Sequence, residues 1–353
     1  MRAGAWVRVC AVGALLLGAT GIASGDADYD WQQIEAMEKN APAGQWTTQQ
    51  EAEEGTLEYL GKQEDALRGF INNYPDDARV PEATLRLAHL LATRADIDQD
   101  PRERRASEAM LDELERSPAM KNRRADVEFA RVSIFMQRVD ALTGENRDAL
   151  LEKARGYAKD FPDDRRVAPL LAEVASAYED EPKTARGLLE QALPKAATAE
   201  LKARIGDDLK RLGLLGKPLE MKWLATDGTK VDMQNFQGKV VLVYFFASWS
   251  APSMQELDWV RHLAGRFPAD SLQTLGICLD NDPVAVPEML ADHGIGWPVY
   301  CDGQGWKGEL VRSLGINELP ELWIVDRDGV LRALDAKEDA EGLIKKAMRE
   351  SGE

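Results

Sequence analysis

The chain has 353 residues, enough for two domains of ordinary size, and its 44% apolar and 30% charged composition is that of folded globular material. With 44 Lys+Arg against 61 Asp+Glu the net charge is −17, an acidic surface that repels phosphate backbones and argues against nucleic acid as a partner. His89, His262 and His293 are scattered and no Cys/His cluster has ligand spacing, so neither a metal nor a cofactor is expected.

The first residues read as a targeting segment. Arg2 and Arg8 give a positive start, an apolar run follows from Val9 to Ala19, and small residues continue through Gly25 before Asp26, Asp28 and Asp30. This layout predicts a signal peptide over residues 1–25, cleaved after Ala23 or Gly25, and export of the mature chain. An uncleaved anchor is the alternative, although the run is short against the ~20 residues a membrane span needs. Cys10 lies too early, and Arg8 too close before it, for lipid attachment. No later segment is apolar enough to cross a bilayer, so no integral span is expected after cleavage.

Residues 26–213 read as a helical domain. Apolar residues recur three or four apart, as in Leu85, Leu87, Ala88, Leu90 and Leu91, and strand signals are nearly missing. Charged stretches such as Arg102–Arg105 and Asp112–Arg116 are solvated helix faces. The segment from Phe70 to Val80, with Tyr74-Pro75-Asp76-Asp77, is echoed from Tyr157 to Val167, with Phe161-Pro162-Asp163-Asp164. In each copy an aromatic residue ends a helix, Pro breaks it, and Asp-Asp offers caps for the next. Arg116-Ser117-Pro118 marks a third break. The two copies resemble tetratricopeptide-like helical hairpins, without their full consensus. That resemblance implies stacked hairpins offering a groove to a partner; a plain helical bundle is the alternative.

Leu212-Gly213-Leu214-Leu215-Gly216-Lys217-Pro218 ends the helical pattern, and residues 214–218 read as a linker. Beyond it, residues 219–353 alternate strands and helices. Met221 to Val231 reads as a hairpin turning at Asp227-Gly228. The continuous apolar run Val240 to Phe246 is what a strand covered on both faces needs. Ala247-Ser248-Trp249-Ser250-Ala251-Pro252-Ser253 then opens a helix at once, with Ser250 suited to the N-cap and Pro252 to the first turn.

This stretch resembles the TlpA/ResA-like thiol–disulfide oxidoreductases of the thioredoxin superfamily. Their pattern is an apolar strand, then Trp-Cys-x-Pro-Cys at a helix start, with Glu three residues on. Trp249, Pro252 and Glu256 match it, while Ser250 and Ser253 stand where the two cysteines belong. Gly315-Ile316-Asn317-Glu318-Leu319-Pro320 matches the segment ending in the family's cis-proline, and Ile324 to Gly329 the strand and turn after it. Thr274 to Asp280 and Trp297 to Asp302 match the intervening strands. The resemblance implies a thioredoxin-like α/β domain with a mixed central sheet, so the expected fold class is an all-α region followed by α/β. Its bacterial character implies the periplasm or cell envelope as the destination.

The departure bears on function. In the family the helix amino terminus lowers the first thiol's pKa, and the resulting thiolate attacks a disulfide that the second Cys resolves. Serine hydroxyls form no disulfide, so that reaction cannot run at Ser250 and Ser253. Nor does Ser250 read as a hydrolase nucleophile: His262 lies ~18 Å along the same helix at ~1.5 Å per residue. Glu256, which in the family lies near the cysteines, reads here as a helix-start acid or a capping-box partner of Ser253.

Cys278 and Cys301 remain in the mature chain, on strands that the fold makes neighbours. Three readings are open: buried inert thiols, a structural disulfide, or a displaced redox pair. The leading functional reading is a redox-inactive binding or scaffold protein. Its groove beside Trp249, Ser250, Leu319 and Pro320 would grip an extended peptide or protein client, as the resemblance implies for backbone next to the cis-proline. The alternatives are a thiol–disulfide oxidoreductase acting through Cys278 and Cys301, and a structural assembly protein acting through its helices.

Overall fold

The computed structural model describes residues 25–40, 48–138 and 144–349. Apart from Gly25, the expected signal peptide, with Cys10, lies outside the described residues. The described residues pack as two compact units, divided between Val167 and Ala168. Among the described residues no helix is long and apolar enough to cross a membrane.

The first unit is helical: α1 (Gly25–Lys39), α2 (Gln49–Asn73), α3 (Val80–Ile97), α4 (Pro101–Arg116), α5 (Arg124–Gln137) and α6 (Gly144–Asp160). Helix α3 packs against α2, α4 and α5, and its apolar positions Leu85, Leu87, Ala88, Leu90 and Leu91 are buried. The two similar segments make similar turns. Asp77 Oδ1 accepts from the Arg79 backbone N–H and from its Nε, each at 2.8 Å. Asp164 Oδ1 does the same for Arg166, also at 2.8 Å. Each arginine lies over an aromatic ring, Arg79 5.3 Å from Phe70 and Arg166 4.8 Å from Phe129. The rings Phe70 and Tyr74 lie 5.2 Å apart, as do Tyr157 and Phe161. One expectation changes here. The residue at the N-cap of α3 is Arg79, without a side-chain cap, and Asp77 spends its oxygens on that arginine instead of on α3.

The second unit begins within α7 (Val167–Ser176) and continues with α8 (Pro182–Ala192) and α9 (Ala199–Leu212). A short antiparallel hairpin follows, β1 (Lys222–Leu224) with β2 (Lys230–Asp232), and Asp227 Oδ1 accepts from Thr229 N–H in its turn at 2.8 Å. The central sheet has the order β5-β4-β3-β6-β7. Its strands are β3 (Val240–Phe246), β4 (Leu272–Cys278), β5 (Val299–Tyr300), β6 (Glu321–Val325) and β7 (Leu331–Ala333). Strands β3, β4 and β5 run parallel, while β6 and β7 are antiparallel to their neighbours. The remaining helices are α10 (Ala251–Ala264), α11 (Val286–Asp292), α12 (Glu309–Leu314) and α13 (Ala340–Arg349). This is the expected thioredoxin-like arrangement with a mixed central sheet.

Every residue of β3 is buried, which is why it carries no polar alternation. Val240, Leu242, Tyr244 and Phe246 share a core with Leu257 and Val260 of α10 and Ile344 of α13. Phe245, which points to the opposite face, meets Trp323 at 4.7 Å between ring centroids.

The stretch read as a linker does not run free. Gly216 N–H donates to Leu331 O at 2.9 Å, Leu331 N–H to Lys217 O at 3.0 Å, and Leu219 N–H to Gly329 O at 2.9 Å. The segment thus covers the β7 edge, which would otherwise expose unpaired backbone groups. Helix α9 is tied to the sheet a second way. Arg211 pairs with Glu321 at the start of β6, and its Nη2 reaches Glu179 Oε1 at 2.7 Å and Asp208 Oδ1 at 3.4 Å. The Trp323 indole N–H donates to the second Glu321 oxygen at 2.6 Å. Gly315, with φ 74°, caps α12 where an added Cβ would collide with the Asp207 carbonyl. The change from helix to strand therefore falls at 214–218, whereas packing places α8 and α9 with the sheet.

Arg211→Met is expected to destabilise the second unit by ~3–5 kcal/mol, because it leaves Glu321 and its carboxylate neighbours buried without a counter-charge; urea unfolding checks this. Burial pushes the Glu321 carboxyl up to about 7, against the lowering effect of Arg211 and Trp323. Its unfolded value is near ~4.3. The native chain therefore binds this proton more tightly, and the associated stability is fully present below ~4.3 and lost as pH rises through about 7. Glu321→Gln removes that titration, so the stability of the native sequence relative to this variant is expected to fall between those pH values.

Candidate functional site

Strand β3 ends at Phe246 and the chain turns directly into α10. Ser250 sits at the N-cap in an extended conformation, with φ −91° and ψ 103°, and its Oγ accepts from the Ser253 backbone N–H at 3.4 Å. The Ser253 hydroxyl also donates to Ser250 Oγ, at 2.9 Å. Pro252 falls in the first turn, where a backbone N–H has no intrahelical partner to lose. From β3 below, the Tyr244 hydroxyl donates to Ser253 O at 2.7 Å. Ser253 is fully buried and Ser250 is 8% exposed. The two side chains thus satisfy each other and the helix terminus.

The sheet register brings three further segments level with this turn. Phe246 pairs with Cys278, and Phe245 with Glu321, so Pro320 stands one step beyond, beside Phe246. Ile277 pairs with Tyr300, so Cys301 follows beside Cys278. The Leu319–Pro320 peptide is cis. The Ser248 backbone N–H donates to Asp280 Oδ1 at 2.8 Å, and the Cys301 thiol lies 3.6 Å from Asp280 O as its donor. Lys337 Nζ donates to Pro320 O at 3.0 Å and pairs with Asp335 Oδ1 at the same distance.

Of the residues expected to line a groove, Trp249 is 54% exposed and Leu319 is half-buried, while Ser250 and Pro320 are buried. Trp306 joins them: it is 42% exposed and its ring centroid lies 6.2 Å from that of Trp249. The sequence gives no local sign of this, since Trp306 sits in a Gly-Gln-Gly-Trp loop far along the chain. Lys337 and Asp280 were likewise invisible before the strands were paired.

Glu256 is not a capping-box partner. The cap is Ser250 and the residue three positions on is Ser253, which leaves Glu256 Oε2 buried without a hydrogen-bond partner. Burial raises its pKa, opposed by Lys337 and reinforced by Asp335. His262 Nδ1 lies 2.6 Å from Asp258 O, one turn back on the exposed side of α10, which leaves it engaged away from Ser250. Among the described residues no group of three or more His, Cys, Asp or Glu side chains is placed to hold a metal.

Cys278 and Cys301 are free thiols, the first buried and the second half-buried. The hydrogen bond with Cys301, and burial after it, raise the Cys278 pKa. The hydrogen bond from Cys278 lowers Cys301 to about 7 against the effect of burial, with help from the Gly303 backbone N–H.

Residues 207–349 match the family model described as Redoxin. The chain is 26% identical over 125 residues to the thiol-disulfide oxidoreductase ResA of Bacillus thuringiensis strain Al Hakam, spanning 34% of this chain and 70% of that protein. It is 24% identical over 124 residues to the protein of the same name from Bacillus thuringiensis subsp. konkukian, again 34% of this chain and 70% of that one. Among solved structures it is similar to a thiol-disulfide oxidoreductase from Bacteroides fragilis, with 23% identity, a TM-score of 0.34, and coverage of 36% of this chain and 97% of the other. A secreted thiol-disulfide isomerase from Corynebacterium glutamicum has 16% identity and a TM-score of 0.33, covering 38% and 86%. The sheet order and the Redoxin match make the carboxy-terminal part a thioredoxin-like domain, similar in sequence to the ResA thiol-disulfide oxidoreductases.

Ser250→Ala is expected to cost about 1 kcal/mol, since it removes the cap of α10 and the acceptor of the Ser253 hydroxyl; Ser253→Ala keeps the cap and is expected to cost less. Paired urea titrations separate the two.

Proposed function

We propose that this is an exported, cell-envelope protein whose thioredoxin-like domain binds an extended polypeptide client without performing disulfide exchange at its helix-terminus site. The observation that carries the reading is the pair Ser250 and Ser253, whose hydroxyls are hydrogen-bonded to each other at the start of α10. In the oxidoreductases this domain resembles, thiols stand at the corresponding positions. A hydroxyl can neither form nor resolve a mixed disulfide.

The surface around that site supports binding. Trp249 and Trp306 are large aromatic side chains exposed together, a composition enriched at recognition surfaces because one ring buries much area at little entropic cost. Leu319, just before the cis Pro320, adds half-buried apolar surface, and we read the backbone beside it as the place where an extended chain would pair. In the amino-terminal unit we read tetratricopeptide-like hairpins, supported by the two turns in which Asp77 holds Arg79 and Asp164 holds Arg166. They would offer a second surface for the same or another protein.

The experiment has two arms. In a chain carrying Cys278→Ser and Cys301→Ser, dithiothreitol-driven insulin reduction is expected to be absent, and adding Ser250→Cys with Ser253→Cys is expected to create it. Activity before the serines are replaced would sink the reading. For binding, Trp249→Ala is expected to weaken capture of a fluorescent, reduced, unfolded polypeptide about tenfold, which is ~1.4 kcal/mol. Unchanged anisotropy titrations for both Trp249→Ala and Trp306→Ala would remove the groove from the proposal.

A further inference from the structure

The two thiols of the sheet have a geometry that the binding role does not use. Cys278 is the last residue of β4, and Cys301 is the first residue after β5. These strands are parallel, with Gly276 against Val299 and Ile277 against Tyr300, so the next step of the register sets Cys278 beside Cys301. In one sheet neighbouring backbones stand ~4.8 Å apart, within the Cα separations of ~4.4–6.8 Å that a disulfide spans. Aligned residues of a parallel pair point to the same face. The pairing therefore needs no change of register to close a bond.

The pair is also asymmetric. Cys278 is 2% exposed, while Cys301 is half-buried at the mouth of the loop that carries Gly303 and Trp306. Gly303, with φ 71°, turns this loop tightly against Pro283 and presents its N–H to the Cys301 sulfur. A backbone N–H supports a thiolate there, and the neighbouring Cys278 thiol donates to the same atom. Asp280 lies between this pair and the Ser250 turn: its carbonyl meets the Cys301 thiol and its carboxylate meets the Ser248 N–H.

We propose that Cys278 and Cys301 form a reversible dithiol–disulfide pair that exchanges with an incoming organic disulfide, Cys301 attacking and Cys278 resolving. The Cys301 thiolate attacks one sulfur of R–S–S–R′. That bond breaks, R′–S⁻ leaves and takes up a proton, and Cys301 carries the mixed disulfide with R–S. Cys278 then loses its proton and attacks Cys301 Sγ, and R–S⁻ departs and is protonated. The protein has given up two electrons and two protons to form the Cys278–Cys301 bond, and the incoming disulfide has been reduced to two thiols. Reduction by an external thiol runs the steps backwards.

The test uses the folded chain with Cys10→Ser, so that only this pair contributes thiols. It is equilibrated with oxidised glutathione in one arm and with a disulfide-bonded peptide in the other. Each sample is then quenched with acid, alkylated and measured by intact mass. Oxidation in either arm, seen as loss of both alkylation sites and restored by dithiothreitol, supports the pair; the arm that responds says whether small or polypeptide disulfides reach it. Cys278→Ala is expected to accumulate a mixed disulfide on Cys301. Cys301→Ser is expected to slow adduct formation by ~10-fold or more, the ratio of thiolate present at pH 7 between a thiol at about 7 and an ordinary one. The Cys301 labelling rate is expected to have its midpoint near pH 7 and to move upwards in Cys278→Ala, because Cys278 is what lowers it. Two thiols that stay reduced in both arms until the chain is unfolded would overturn the proposal, as would a first adduct on Cys278.

Discussion

The Arg211 guanidinium is buried among Glu179, Asp208 and Glu321, and the loop that carries Leu319 and Pro320 is held to helix α9 through it. A charge in that position is stable only while it is paired, since removing it from water costs more than most packing contacts return. The pairing sets the entry of β6 into the sheet. Asn317 adds to it by donating to Asp208 Oδ1 at 2.8 Å, and Lys210 by donating to Arg312 O at 2.7 Å. Gly315 lets the backbone come close enough for all of these to form, because any side chain there would meet the Asp207 carbonyl. A helix that the chain places before the sheet is thereby fixed to the start of β6, next to Pro320.

The same end of the sheet gathers everything chemically distinctive about the second unit. Moving across the register, Cys301, Cys278, Phe246 and Pro320 form one row, and the Ser250 turn rises from the end of β3. Hydroxyls occupy the helix terminus, where the partial positive charge of the backbone would otherwise favour an anion. The thiols sit one and two strands away, where each is the main influence on the other. The turn from Ser248 to Ser253 and the two thiols thus lie at the same end of the sheet, with Asp280 in contact with both.

In the amino-terminal unit the two similar sequence segments build the same device from different partners. Arg79 rests on Phe70 and also reaches Asp28, whereas Arg166 rests on Phe129 and reaches Asp126, the two carboxylate contacts both at 2.8 Å. The echo between Tyr74-Pro75-Asp76-Asp77 and Phe161-Pro162-Asp163-Asp164 was legible directly. The role of the arginine two positions later was not, because beyond the neighbouring Asp77 or Asp164 its aromatic ring and second carboxylate lie on other parts of the chain.

What the sequence alone determined is local. The unbroken apolar run from Val240 to Phe246 requires a strand covered on both faces, and Ser250 with Pro252 starts a helix at a fixed point after it; backbone sterics and hydrogen-bond demand at a helix end suffice for both. That serines, not cysteines, stand at positions 250 and 253 is likewise a fact of the sequence. Tertiary structure decided what depends on distant partners. It paired the linker with β7 and assigned α9 to the sheet, it brought Trp306 to Trp249, and it set Cys278 level with Cys301. None of these follows from spacing, because strand register and the burial of a charge such as Arg211 are fixed by contacts between segments distant in the chain, for which the local pattern carries no signal.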